Sequence, residues 1–352
     1  MLNILYLLNH RYPTEKAYGI QVSKMCEAFS RLGVNTTLLV PKRRSKIKDN
    51  PFSFYDLNNS FRIEILNSPD FYWPGFFDRF AFMIKNTLSA WKLIKFARKY
   101  FPNAFIFSRD EFPLFLLSFT NSKLCFEAHK FSENKMFLYK RLRRRGVKII
   151  AISEGIKNMF LKLGYKDQDI LIARDGADLK KFDINSSKLE ARNNLGINKE
   201  SKLVLYTGHL YPWKGVSIFL EASKSLPDVN FKTVTNQPYR LIPMYLKAAD
   251  VLVLPNRSNE KLSRLYTSPL KMFEYMASGR PIVASDLPSI REVLSENNSV
   301  LVKPDDPKAL ALGIKSVLED KDLAEKISTQ AFLDVQQYDW VQRARNIINF
   351  VS

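Results

Sequence analysis

Residues 266–294 read YTSPLKMFEYMASGRPIVASDLPSIREVL, and this stretch determines how the rest of the chain is interpreted. It predicts a helix beginning near Pro269, a stop at Gly279 and a buried strand at 281–284. Proline suits a first helical turn because no N–H is needed there, and glycine is favoured just past a helix end. Ser268 is the expected N-cap. The strand is short and apolar, which is typical of a parallel strand covered on both faces.

The start of this helix has the chemistry of an anion site. A helix N-terminus carries about half a positive charge and readily binds phosphate. Lys271 adds a full charge, and Glu274, one turn further on, could accept hydrogen bonds from ribose hydroxyls. The alternative is an ordinary capped helix with a solvated glutamate, and the spacing alone leaves both interpretations open.

The pattern S-P-L-K-x-F-E-Y-M-A-x-G-x-P over residues 268–281 resembles the donor-sugar signature of retaining GT-B glycosyltransferases of family 4. The resemblance implies that the helix start holds the diphosphate of a nucleotide-sugar and that Glu274 holds its ribose. Many members have a second Glu eight residues earlier, where this chain has Tyr266. The donor-binding residues expected in this stretch are Tyr266, Ser268, Pro269, Leu270, Lys271 and Glu274.

A second motif, G-H-L-Y-P-W-K-G at residues 208–215, resembles the family's Gly-Arg/Lys-x-x-x-x-Lys-Gly loop. In the family, two cations of this loop flank the diphosphate. Lys214 matches, whereas His209 replaces a permanent cation with a titratable one. Gly208, His209 and Lys214 are therefore expected at the donor. Lys214 and Lys271 are the expected catalytic cations, because they would stabilise the charge that develops on a departing diphosphate.

The first half of the chain supplies two further candidates. Gly19 lies in a loop between a strand and a helix, and the resemblance implies that this loop approaches the donor phosphates. Glu127-Ala128-His129 resembles the element that delivers a histidine to the bound sugar, so His129 is the third expected catalytic residue. All three histidines, including His10, follow predicted strands, where open α/β sheets bind ligands.

Strand-like and helical segments alternate along the chain, which favours an α/β fold with parallel sheets. The resemblance covers nearly the whole chain and implies the GT-B fold, with two facing Rossmann-like domains. The expected divisions are an acceptor-side domain at 1–182, a linker at 183–201, a nucleotide-sugar-binding domain at 202–338 and a helix at 339–352 that crosses back.

The second domain departs from the family pattern, because one strand–helix unit is missing before the Ala-Ala-Asp strand at 248–250. A gap inside a sheet would leave backbone N–H and C=O groups unpaired. Residues 231–235 are therefore expected to take a sheet position, with 236–240 as a tight connection to a helix near 241–249. The sheet would have one strand fewer than its relatives, and the base pocket would be shallow.

The charge is uneven along the chain. The net charge is +19, and residues 1–150 hold 26 Lys and Arg against 11 Asp and Glu, a balance of +15. This favours an anionic partner: a membrane surface, a glycan or lipid-phosphate acceptor, or nucleic acid. A generally basic proteome would also explain it. The predicted helix at 78–100 combines apolar and basic residues, which suits either a lipid interface or an ordinary helix that covers a sheet.

The composition argues against disulfide-rich, membrane-spanning and exported classes of protein. Cys26 and Cys125 are the only cysteines and lie in apolar segments, which favours packed thiols over a disulfide scaffold. No apolar run approaches the roughly 20 residues of a membrane span, and the first residues lack the features of an export signal. The expected location is the cytoplasm, peripherally at the inner face of the cell membrane.

The resemblance implies an enzyme that transfers a sugar, with retention, from a nucleotide-sugar to a hydroxyl of a glycan or lipid-linked acceptor. Cell-surface glycan or glycolipid synthesis is the expected role, without a metal or other cofactor. The first alternative is a weakly active or inactive GT-B protein that serves as a binding partner, which Tyr266 and the shortened segment motivate. A sugar-nucleotide epimerase is another. No nucleic-acid recognition motif occurs, so that partner is not expected.

Overall fold

The computed structural model describes residues 2–352, and the chain divides into two compact units. The first contains the residues up to 152, 156–173 and 344–352; the second contains 153–155 and 174–343. The expected boundary at residue 182 is wrong, because Phe182 and Ala191 are buried in a core of the second unit. Residues 183–201 therefore belong to that unit and are not a linker, and the last nine residues return to the first unit.

The first unit is built on a seven-stranded sheet in the order β3-β2-β1-β4-β5-β6-β7, with every neighbouring pair parallel. Its central strands are buried on both faces, as expected of a parallel sheet covered by helices. The strands are Asn3–Leu7 (β1), Asn35–Pro41 (β2), Arg62–Leu66 (β3), Phe105–Ser108 (β4), Lys123–Ala128 (β5), Lys148–Ala151 (β6) and Ile170–Ile172 (β7).

The second unit has a five-stranded parallel sheet in the order β12-β11-β10-β8-β9. Alternate residues enter two cores, with Leu203 and Leu205 in one and Val204 and Tyr206 in the other. Both faces of this sheet are therefore covered. The strands are Lys202–Thr207 (β8), Val229–Val234 (β9), Val251–Leu254 (β10), Ile282–Ser285 (β11) and Val300–Val302 (β12).

The shortened segment has the predicted form. Strand β9 pairs with β8 and is the edge strand of the sheet. The middle of the sheet is therefore continuous, with no gap between neighbouring strands. The connection turns at Asn236, whose φ is +54°, and continues through a 3₁₀ turn at Tyr239–Leu241 into a helix at Ile242–Ala248. The strand begins at Val229, slightly earlier than expected.

Helices flank both sheets, and the short 3₁₀ turn at Pro212–Lys214 and the π turn at Leu262–Tyr266 lie in the loops of the second unit. In chain order the helices are Ala17–Arg31 (α1), Pro51–Phe54 (α2), Asp78–Tyr100 (α3), Glu111–Leu117 (α4), Met136–Arg144 (α5), Glu154–Lys162 (α6), Leu179–Phe182 (α7), Lys188–Asn194 (α8), Val216–Ser223 (α9), Ile242–Ala248 (α10), Leu270–Ala277 (α11), Pro288–Arg291 (α12), Pro307–Glu319 (α13), Lys321–Asp334 (α14) and Trp340–Val351 (α15).

Candidate functional site

Helix α11 begins at Leu270, with Pro269 as its N-cap in an extended conformation. The prediction that Ser268 caps the helix is wrong, because its hydroxyl instead accepts the backbone N–H of Asp175 at 3.1 Å. The predicted stop is confirmed: Gly279 has a φ of +63°, which glycine adopts without steric cost. The helix start is thus held from outside by a contact with a distant segment.

Every residue of α11 from Lys271 to Ala277 is buried, and Leu270 is partly buried. Lys271 and Glu274 are only 8% and 6% exposed. Long charged side chains are rarely buried without partners, because removing a charge from water is costly. Their burial in one helix makes its first two turns an electrostatically unusual part of the second unit.

Lys271 is the most unusual of these groups. Its Nζ has no hydrogen-bond partner among residues 2–352, and it lies 3.6 Å from the centroid of the Tyr206 ring. Burial lowers the pKa of Lys271 well below its usual value, and the charge of Lys214 lowers it further, while Glu274 opposes both effects. A buried lysine whose Nζ has no hydrogen-bond partner is a group prepared to receive an anion.

Lys214 is held in place by a tight loop after β8. The loop passes through Gly208 and the turn Pro212–Lys214 and ends at Gly215, whose φ is +71°. A Cβ at residue 215 would lie 1.6 Å from the carbonyl oxygen of Pro255, so the loop requires glycine there. Burial lowers the pKa of Lys214 to about 8, although Glu274 acts in the opposite direction. The loop therefore holds a second cation within electrostatic reach of α11.

Glu274 is the anion of this group. Its Oε1 accepts a hydrogen bond from the Tyr239 hydroxyl at 3.0 Å. Burial raises the pKa of Glu274 to about 7, and the bond from Tyr239 and the two lysines limit that rise. The carboxyl is thus close to its titration point near neutral pH, and Tyr239 places the shortened connection after β9 directly beside it.

Two more tyrosines fix the end of β8 against α11. The Tyr275 hydroxyl accepts the backbone N–H of Thr207 at 2.8 Å. The Tyr206 hydroxyl donates to the carbonyl of His209 at 2.8 Å, which positions that residue just past the strand. Sequence reasoning did not assign a role to Tyr206, Tyr239 or Tyr275. Only Tyr275 lay within a recognised motif, so the sequence gave little signal for the other two.

Asn256 was also missed. It follows β10, is 1% exposed, and neither side-chain polar atom has a hydrogen-bond partner within the described residues 2–352. The preceding carbonyl, that of Pro255, packs against Gly215 of the lysine loop. Buried amides are normally satisfied, so Asn256 is a candidate ligand contact near Lys214.

The remaining candidates of the second unit lie on the same two segments. Gly208, His209 and Lys214 form the loop after β8, and Ser268, Pro269, Leu270, Lys271 and Glu274 form the start of α11. Tyr266, 6% exposed, is the last residue of the π turn before α11. The structure therefore brings the two motifs together through Tyr206 and Tyr275, although roughly sixty residues separate them.

His129 and Gly19 belong to the first unit. His129 follows β5, and its Nε2 lies 3.5 Å from Oε2 of the fully buried Glu127. Glu127 also accepts hydrogen bonds from Tyr6 at 2.6 Å and from Gln21 at 2.8 Å. The histidine thus lies beside a carboxylate that is itself held by two hydrogen bonds.

Gly19 lies in the first turn of α1, which begins at Ala17, earlier than predicted. A Cβ at residue 19 would lie 2.2 Å from the Tyr55 hydroxyl, so packing against Tyr55 explains the glycine. A role for Gly19 at the donor phosphates stays a prediction.

His10 completes the set of histidines that follow strands. It lies after β1, and its Nε2 is 2.9 Å from Oδ1 of Asp110. His10, His129 and His209 therefore each lie just past the carboxyl end of a parallel strand, as expected.

Two kinds of feature are absent from residues 2–352. No group of three or more His, Cys, Asp or Glu side chains in this range is arranged to bind a metal ion. None of the helices in the same range is long and apolar enough to cross a membrane.

The chain is similar in sequence to known glycosyltransferases. A family model described as "Glycosyl transferases group 1" matches residues 227–320, which include α11 and the shortened segment. An uncharacterized glycosyltransferase of Methanocaldococcus jannaschii is 26% identical over 235 residues, 57% of this chain and 58% of that protein. The chain spans little more than half the length of the curated relatives it matches.

Solved structures match over nearly the whole chain. A sucrose-phosphate synthase from Thermosynechococcus elongatus superposes with a TM-score of 0.80 at 17% identity, covering 99% of this chain and 98% of that one. HepE of Anabaena, solved in complex with UDP and glucose, superposes with a TM-score of 0.72 at 17% identity, covering 99% of both chains. The solved structures show that this chain has the GT-B fold, and the family match and the curated relatives show that its sequence is similar to group 1 glycosyltransferases.

Proposed function

We propose that the protein transfers a sugar from a nucleotide-sugar to a hydroxyl of a glycan or lipid-linked acceptor, with retention at the anomeric carbon. The observation that carries this proposal is the group formed by Lys214, Lys271 and Glu274, in which the Nζ of Lys271 is buried without a hydrogen-bond partner in residues 2–352. Two cations and one carboxyl match a diphosphate and a ribose. Structures that resemble this chain contain UDP, as in HepE.

Each residue has a role that its position supports. Lys214, Lys271 and the N–H groups at the start of α11 would surround the diphosphate and stabilise the negative charge that grows as the glycosidic bond breaks. Glu274 would accept hydrogen bonds from the ribose. His129, which lies beside Glu127, is proposed to position the transferred sugar. This scheme uses no metal ion, because the two lysines supply the positive charge.

Retention is proposed to occur by internal return, in which the departing phosphate accepts the proton of the attacking hydroxyl. The test is proton NMR of the glycoside formed from an α-linked donor, because the anomeric configuration is fixed once the glycosidic bond has formed. An α-linked product is expected. A β-linked product from the same donor would contradict retention while leaving the transferase assignment intact.

Base discrimination is expected to be weak. The second sheet ends at β9, and the connection that follows is short and partly exposed, which leaves a shallow pocket for the base. UDP, GDP and ADP should bind within about tenfold of one another, a spread of about 1.4 kcal/mol. Thermal shift with each diphosphate, followed by calorimetry, measures this. A preference for one base well beyond tenfold would show that the pocket is more complete than its short connection suggests.

A non-catalytic role as a binding protein is the second candidate. Tyr266 favours it, because a buried tyrosine stands where many relatives of this type have a second Glu. A thermal shift with nucleotides but no turnover with any nucleotide-sugar and acceptor extract would support this role. Donor hydrolysis or transfer would exclude it.

The proposed location is the inner face of the cell membrane, where lipid-linked acceptors are found. The basic first unit would be attracted to such a surface, because residues 1–150 carry a balance of +15.

A further inference from the structure

Helix α3 and the turn before it expose an unusual number of large apolar side chains. The outer face of α3 is defined by Phe76, Phe80, Met83, Ile84, Leu88 and Trp91, all of which are exposed. Phe76, Met83 and Trp91 have the largest exposed fractions, at 75%, 60% and 59%. The spacing of Phe80, Ile84, Leu88 and Trp91 places them on one side of the helix. Apolar patches of this kind usually mark an interaction site.

The buried side of the first half of α3 is small or polar. Ala81, Lys85 and Ser89 face inward and are buried. Lys85 lies 3.6 Å from Asp70, and Ser89 accepts a hydrogen bond from Arg43 at 2.8 Å. An ordinary surface helix has the reverse arrangement, with apolar residues inward and polar residues outward. The apolar outer face therefore does not contribute to the core, and core packing does not explain it.

Positive charge accompanies the outer face. Helix α3 contains one acidic residue, Asp78, and its exposed basic residues are Arg79, Lys92, Lys95, Arg98 and Lys99. The Nζ of Lys95 lies 5.4 Å from the centroid of the Trp91 ring. Aromatic rings beside lysines are typical of segments at a membrane–water interface, where rings enter the headgroup region and ammonium groups contact lipid phosphates.

We propose that the outer face of α3 docks on an anionic lipid bilayer, with its aromatic side chains at the headgroup–acyl boundary and its basic residues against lipid phosphates. A second copy of this chain is a poorer occupant, because it would bring another basic surface against this one. A soluble polyanion would satisfy the lysines but not the apolar residues. The docking does not depend on the proposed sugar transfer, since it involves no residue of the Lys214–Lys271–Glu274 group.

The test compares the full chain with two matched variants by co-sedimentation with phosphatidylcholine vesicles, with and without phosphatidylglycerol. In the first variant, Phe80→Ser, Ile84→Ser and Trp91→Ser remove the apolar face. The control, Leu312→Ser with Leu333→Ser, removes two equally exposed leucines of the second unit. Partition of the first variant onto anionic vesicles should be weaker by about tenfold or more, and that of the control unchanged.

Insertion is measured separately with brominated acyl chains, which quench tryptophan fluorescence only at short range. The parent should be quenched, and Trp91→Phe should lose most of the quenching. Partition of the parent onto anionic vesicles should also fall as the salt concentration rises, because the Debye screening length shortens to about 8 Å at physiological ionic strength.

Three results would overturn the proposal. These are equal partition of the parent and the apolar-face variant, binding to phosphatidylglycerol vesicles without quenching of Trp91, and a parent dimer in lipid-free solution that the apolar-face variant dissociates. The last would identify a second copy as the occupant. Thermal unfolding of each variant should match that of the parent, because all of the replaced residues are exposed.

Discussion

Replacing Lys271 with methionine is expected to weaken nucleotide binding strongly and, at the same time, to raise the stability of the unliganded protein. The Nζ of Lys271 is buried beside the Tyr206 ring and has no hydrogen-bond partner within residues 2–352. Removing an ammonium from water costs several kcal/mol even after relaxation. A desolvated cation–π contact returns about 2 kcal/mol. The desolvation cost exceeds the contribution of the cation–π contact, so an apolar side chain of similar length should make the folded protein more stable.

The expected gain in the free energy of unfolding is about 1–3 kcal/mol, and the expected loss in affinity is about a hundredfold, since charged hydrogen bonds contribute about 1.5–3 kcal/mol each. Thermal unfolding with and without a nucleotide-sugar measures both effects on one sample. Stability gained as binding is lost is the signature of a group kept for function.

Lys24→Met is the matched control, because Lys24 is equally buried but paired. Its Nζ lies 3.3 Å from both Glu27 Oε2 and the carbonyl oxygen of Asp56. Removing this lysine leaves Glu27 buried without its cation, and breaking a buried pair costs about 3–5 kcal/mol. The two Lys→Met changes should therefore shift stability in opposite directions. If Lys271→Met also destabilises the protein, or if it leaves nucleotide affinity unchanged, Lys271 is a structural residue and not an anion receptor.

The local features of the candidate site could be predicted because they depend on neighbouring residues. Gly279 ends α11 through its own backbone conformation, and Gly215 closes the lysine loop in the same way. The edge position of β9 followed from a general requirement, since a sheet cannot leave backbone groups unpaired in its middle. Such rules apply to any sequence with the same local pattern.

The features that could not be predicted depend on contacts between distant residues. Ser268 was expected to cap α11, but its hydroxyl instead accepts a hydrogen bond from the backbone N–H of Asp175, ninety-three positions earlier. Tyr239 reaches Glu274 only because β9 lies at the sheet edge and the following connection returns beside α11. The predicted boundary between the units was wrong because residues 183–201 have the composition of a linker. In the structure, Ala191 of this segment packs in a hydrophobic core of the second unit. No periodicity in the sequence reports these contacts.

Nucleotide-sugar affinity is expected to have a maximum between two pH limbs. Binding requires Glu274 as a carboxylate, if ribose hydroxyls donate to it, and requires Lys214 and Lys271 as ammonium groups. In the unliganded protein, burial raises the pKa of Glu274 to about 7 and lowers that of Lys214 to about 8. Affinity should therefore fall as the pH drops below about 7, because Glu274 must then lose a proton on binding. It should also fall as the pH rises above about 8, because Lys214 must then gain one.

Each limb should have a slope of about tenfold per pH unit for one coupled proton, and the alkaline limb should be steeper where Lys271 also takes up a proton. The ligand itself adds no limb in this range, because both phosphates of a nucleotide-sugar are already ionised. Calorimetry in buffers of different ionisation enthalpy measures the protons directly: net uptake is expected above pH 8 and net release below pH 7.

Two conservative variants assign the limbs. Glu274→Gln cannot titrate, so it should lower affinity and flatten the acid limb, while leaving the alkaline limb in place. Lys214→Arg keeps its charge throughout this range, so it should reduce the steepness of the alkaline limb and spare the acid one. A pH profile that stays flat from 6 to 9 in the parent protein would mean that the bound diphosphate lies away from these residues, and would place the donor site elsewhere on the chain.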